Sequence, residues 1–230
     1  YWTHLSDIEN GDYDNVFSFT TPISSDLNND LGELKALILA RGDRKATYKD
    51  IVGLTSDEYN RSTADSIATG MSVMLQAQAQ LDQLVHGMIT AINDTLCPNT
   101  TLGELTGNTA SLTGTDENGN TVTITSGMKV LDTKNCSTGS DKQIPPQELF
   151  TRLGTERYTK VSVQETDANG NTVTNDYYVY NEESETDTSK QYTLASVSVN
   201  DKLVEQESLL PHLSQNGKVN YDLAQKVAAL

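Results

Sequence analysis

The run from Ser62 to Leu96 places apolar residues at alternating spacings of four and three: Ile67, Met71, Met74, Leu81, Val85, Met88 and Ile92, with Gln78 filling the one gap. That period is close to a heptad seam and predicts one α-helix carrying one apolar stripe. Ser62 followed by Asp65 resembles a capping box, with Asp in place of the usual Glu or Gln. Pro98 stops the helix, because proline lacks the backbone donor and its ring clashes with the preceding turn. At 1.5 Å per residue the helix would be about 50 Å long, which is long for a compact domain. The stripe therefore needs neighbouring helices. This chain supplies few, so we expect them from other parts of the same protein or from other subunits.

Three regions separate by period. Residues 1–98 form the N-terminal part of a helical stem. Val16 to Thr21 alternates like a short strand, and Asp30 caps a second helix, in which Leu31, Leu34, Leu37 and Ile38 share a face and Gly42 takes the C-terminal position. Residues 99–200 are rich in Thr, Ser, Val, Asn and Gly, with strand-like runs at 121–125, 158–164, 172–180 and 192–199. Within them Pro145 to Phe150 opens like a short helix, and the acidic run 182–187 reads as a solvated loop. Residues 201–230 return to helix, with Leu223, Val227 and Leu230 on one face. The expected fold is α+β: a long-helix stem, part of a helical bundle, with an inserted antiparallel β-rich domain.

Composition excludes some functions. The net charge is −16, and such a surface repels phosphate backbones, so nucleic acid is not an expected partner. No apolar run reaches the roughly 18 residues that span a bilayer, so no membrane partner is expected. No cofactor motif is present, and no catalysis is expected. His4, His86 and His212 stand alone, outside any metalloprotease pattern, and there is no nucleophile elbow or phosphate loop. Arg41-Gly42-Asp43 spells an adhesion tripeptide, but Gly42 is explained as a helix cap. Asn60, Asn93, Asn99 and Asn135 begin glycosylation sequons of a kind common by chance in such a composition. Cys97 and Cys136 fit no metal spacing. They are either free thiols or a disulfide that closes a loop of roughly 40 residues.

The most site-like stretches are TDENGN at 115–120 and TDANGN at 166–171, each followed by Thr-Val-Thr. An EF-hand loop needs Gly at its sixth position and Glu at its twelfth. Counted from Asp116 these are Thr121 and Gly127; counted from Asp167 they are Thr172 and Tyr178. Asn118-Gly119 and Asn169-Gly170 instead predict two-residue β-hairpin turns. A weak metal site is the alternative.

Four segments resemble the flagellar hook-associated protein 1 family. Gly32-Glu33-Leu34-Lys35-Ala36-Leu37-Ile38-Leu39-Ala40-Arg41-Gly42-Asp43 is similar to its GELKGLLxxRD segment, and Gln80 to Leu84 with Ala91-Ile92-Asn93 to its QLDQLA…VN pattern. Ala195 to Val204 resembles the stretch ending in VNxxLV, and Leu223 to Leu230 the LAxLAxL helix. Residues 43–61 depart from it as an insertion, the family's Gly-rich stretch is not recognisable after Cys97, and the β region has no counterpart. The resemblance implies a secreted, extracellular structural protein at the junction between flagellar hook and filament, exported without a cleaved signal peptide. It implies a homo-oligomer that contacts the hook protein and a second junction protein. The start at Tyr1 and the end in mid-pattern lead us to expect a central fragment, monomeric by itself. The alternative is an extracellular adhesin or ligand-binding surface module that uses the β region.

Overall fold

The computed structural model describes residues 46–51, 73–167 and 169–230. Ile67, Met71, His4, Asn60, the strand-like run 16–21, the helix expected from 31, Gly42 and its tripeptide, and the start of the long helix at Ser62 all lie outside the described residues. The chain divides into two compact units, residues 1–46 with 53–78 and residues 47–52 with 79–230. The second holds nearly all the described structure.

Its centre is a curled, six-stranded antiparallel sheet, a half-barrel. The strands are β1 (Asn99–Thr101), β2 (Leu112–Asp116), β3 (Thr121–Ile124), β4 (Lys129–Leu131), β6 (Tyr158–Thr166) and β7 (Thr172–Tyr180), in the order β1-β4-β7-β6-β2-β3. A separate two-stranded ladder joins β5 (Phe150–Thr151) to β8 (Ser198–Val199). Four α-helices are described: α1 (Val73–Leu96), α2 (Leu102–Thr106), α3 (Asp201–Glu205) and α4 (Tyr221–Ala228). The expected long-helix stem with an inserted β domain is therefore overturned. The described residues centre on the curled sheet, and the C-terminal region offers helices of only five and eight residues in place of a returning stem.

Strand periodicity explains the two cores. Successive side chains of a strand point to opposite faces. Val130 of β4, Val161 and Val163 of β6, and Tyr177 and Val179 of β7 share one face with Leu102 and Leu105 of α2 and Ile124 of β3. Their neighbours Leu131 and Tyr158 turn to the other face, where they meet Leu96 and Cys97 at the end of α1, Cys136, and Leu223 of α4. Each such apolar side chain contributes about 1.5–3 kcal/mol by leaving water. The second cluster thus binds the end of α1, the sheet and α4 into one core. Val227 and Leu230 remain outside it, exposed.

Short helices are held by their caps. At α2, the Thr101 hydroxyl accepts from the Glu104 amide and Glu104 accepts from the Thr101 amide, and Gly107 ends the helix at φ 70°. At α4, the Asn220 side chain accepts from the Leu223 amide. Two other expectations fail locally. Pro145 to Phe150 is not helical but leads irregularly, with bends at Pro145 and Leu149, into β5; each residue before a proline is pushed out of the helical region. Of 192–199, only Ser198–Val199 is strand, since Thr193 folds back to accept from the Ser196 and Val197 amides.

Candidate functional site

Helix α1 presents an inward face one position on from the stripe read in the sequence. Ala79, Asp82, Ile89, Asn93 and Leu96 are buried, and His86 between them is half-buried. Three of these six are polar, and each is bound. Asp82 accepts from the Tyr48 amide (2.9 Å) and the Leu194 amide (2.6 Å). His86 stacks on the Tyr48 ring at 3.7 Å, and its Nε2 lies 2.8 Å from Glu183. Asn93 works as a peptide mimic: its oxygen accepts from the Leu149 and Phe150 amides, and its nitrogen donates to the Phe150 carbonyl and to Glu148. Fully buried and fully bonded, it is no glycan acceptor in the folded chain.

Glu183 corrects the expectation of a solvated acidic loop. It accepts from the Tyr48 hydroxyl and the Tyr192 amide besides meeting His86. Burial alone would raise its carboxyl; the His86 contact and then the Tyr192 amide outweigh that and hold it below the usual carboxylate range.

Beyond Asn93 lies a buried ionic and aromatic network. Arg157, 4% exposed, donates to Asp94 (2.5 Å), to the Cys97 carbonyl, and to the Tyr158 and Tyr192 hydroxyls, and it lies 3.5 Å from Glu148. The Tyr192 hydroxyl donates to Glu148 at 2.5 Å. Burial pushes the Glu148 carboxyl up, and the bonds from Tyr192 and Arg157 offset only part of this. The guanidinium of Arg152 stacks 4.8 Å from the Tyr192 ring. Beside these groups opens a cleft of about 400 Å³, lined by Pro145, Pro146, Glu148, Arg152, Arg157 and Asn200 among others. This cleft is the principal candidate site in the described residues. Sequence reasoning missed it, because its groups come from 145–158 and 200–202 and carry no local motif.

The residues singled out in the sequence fall elsewhere. Met74, Leu81 and Met88 are 50%, 50% and 53% exposed, Val85 is half-buried, and Ile92 packs partly against the second core cluster. Cys97 and Cys136 are free thiols buried in that same cluster. Burial pushes the Cys97 thiol up to about 12, so it is not a nucleophile at neutral pH. His212 is held by the Leu210 carbonyl at 2.7 Å from its Nδ1.

Asn118-Gly119 and Asn169-Gly170 stand at the tips of the β2–β3 and β6–β7 hairpins, with Gly119 at φ 82° and Gly170 at φ 84°. The loops differ from the two-residue turns expected. Asp116 pairs with Asn120 across the loop, and Asp167 with Asn171; among the described loop residues only the glycine has positive φ. The Asp116 carboxylate accepts from the Asn118 and Asn120 amides and the Asn120 side chain, and Asp167 repeats the pattern. No group of three His, Cys, Asp or Glu side chains among the described residues is placed to hold a metal ion.

Comparison of the chain with protein-family models, with curated proteins and with solved structures finds no match. The hook-associated resemblance therefore rests on the segments that carry it.

Proposed function

We propose that the chain is a structural, non-catalytic subunit of an extracellular bacterial assembly, of the kind the resemblance implies at the junction between flagellar hook and filament. One observation carries the reading. Leu81, Leu84 and Met88 are 50%, 71% and 53% exposed on successive turns of α1, with half-buried Val85 between them. Their spacing makes a continuous apolar strip along the helix. The described residues pack on the adjacent face and leave the strip uncovered, which suits a neighbour. Aligned apolar side chains of this size in water mark an interaction surface. The partner we assign is another copy of the chain within a homo-oligomer. The hook protein and the second junction protein, named by the resemblance alone, would be further contacts.

The test separates the strip from the fold. Leu84→Asp with Met88→Asp should leave the isolated chain's melting curve unchanged, because both side chains already stand in water. In cells deleted for the gene, the wild-type gene should restore filaments and the double variant should not. Filaments of normal length on the deleted cells would sink the junction role. Full rescue by the double variant would sink the strip as its contact surface.

A further inference from the structure

We propose that the cleft beside Arg152 binds the carboxylate of a small, polar, singly charged ligand. The argument begins with an imbalance. Arg152 is 3% exposed, yet no carboxylate among the described residues lies within ion-pair distance of its guanidinium. It donates to two backbone carbonyls, Asn181 at 2.8 Å and Lys190 at a long 3.4 Å. Its Nε is buried and has no hydrogen-bond partner. Glu148 acts on the guanidinium only from beyond that distance, and a buried donor without an acceptor is costly. Arg157, a few residues away, shows the contrast: Asp94 and Glu148 both face it.

The cleft decides what can relieve the imbalance. Arg152 is part of its lining, and its volume of about 400 Å³ suits one small molecule. A carboxylate is the anion whose two oxygens match the guanidinium fork. Of the other charges in the lining, Arg157 pairs with Glu148 and Lys202 with Glu156, and the remaining Asp201 disfavours a dianion. The body of the ligand must then be neutral or carry an ammonium group, and it meets the polar side chains of Thr151, Thr155 and Asn200. Hydroxylated sugar acids and zwitterionic amino acids share this chemistry. The net charge of −16 repels anions at a distance, so the selectivity is a contact effect. The site is independent of the strip on α1, and failure of either reading leaves the other intact.

The direct readout is the Arg152 Nε–H resonance in a nitrogen-15 spectrum of the whole chain, titrated with glucuronate, with alanine and with inorganic phosphate. Glucuronate or alanine should move it, and which of them does so identifies the ligand class. Arg152→Met, which lacks that resonance and is followed by titration calorimetry, should weaken the binding by about tenfold or more, the loss of one charge-assisted pair. Thr155→Trp, which narrows the cleft while keeping the Arg152 guanidinium, should weaken it as well and covers the case in which Arg152→Met does not fold. The proposal is overturned if neither carboxylate moves the resonance, if phosphate binds as tightly as the carboxylates, or if folded variants bind as the wild type does.

Discussion

Replacing Asn93 with Leu tests the placement of α1 most sharply. By sequence alone the change should help: Leu is the better helix former by a few tenths of a kcal/mol, is similar in size, and extends an apolar pattern. The structure predicts the reverse. Asn93 is 0% exposed and makes four hydrogen bonds that leucine cannot. Its loss leaves the Leu149 and Phe150 amides and the Phe150 carbonyl without partners, while Glu148 keeps Tyr192. Each orphaned buried group costs about 1–3 kcal/mol. Leu149 and Phe150 are half-buried and water can reach part of them, so the low end applies, about 3 kcal/mol in total. That is a large fraction of the stability of a domain, commonly 5–15 kcal/mol. Urea unfolding followed by far-ultraviolet circular dichroism measures it, with Met88→Gln as the exposed control, expected within about 0.5 kcal/mol of wild type. A stability for Asn93→Leu within that same margin would refute the assignment of this face to polar packing.

Three further outcomes follow from the geometry. A Cβ at Gly114 would lie 2.5 Å from the Ser162 carbonyl oxygen, across the β2–β6 pairing. Gly114→Ala should therefore destabilise by about 1–3 kcal/mol as the strands separate, visible as faster amide exchange in β2; unchanged exchange would count against that pairing. Ellman's reagent should find neither cysteine at neutral pH in the native chain and both in urea, because burial raises each thiol. Glu148 has its carboxyl raised in the fold, so its contribution is fully present below the unfolded carboxylate value of about 4.3 and is lost as pH rises through the folded value. Glu148→Gln should flatten that part of the stability profile, and a profile parallel to wild type would exclude Glu148 as its source.

What could be read from residue order was local. Alternating Val, Thr and Tyr side chains marked the β6 and β7 strands, because a strand half-buried on each face shows its period directly. Asp-x-Asn-Gly marked both hairpin tips, because glycine alone sits easily at positive φ; the detail that Asp116 and Asp167 bind their own loops needed the backbone path. The helix through Leu96 was legible from its period, but not the face it buries. Apolar side chains at Leu81, Val85 and Met88 pointed to one stripe, whereas the fold buries the next one round, where Asp82, His86 and Asn93 hydrogen-bond segments more than 30 positions away. No periodicity can announce such a face, since a polar residue earns its place there only through distant partners. The cleft is the same case: Arg152 looks like any surface arginine in the sequence, and only the packing of Tyr180, Tyr192, Asn181 and Lys190 around it turns it into a buried cation. Local conformation followed from side-chain shape and backbone freedom; which groups lost their water, and so acquired chemistry, was decided by tertiary contact.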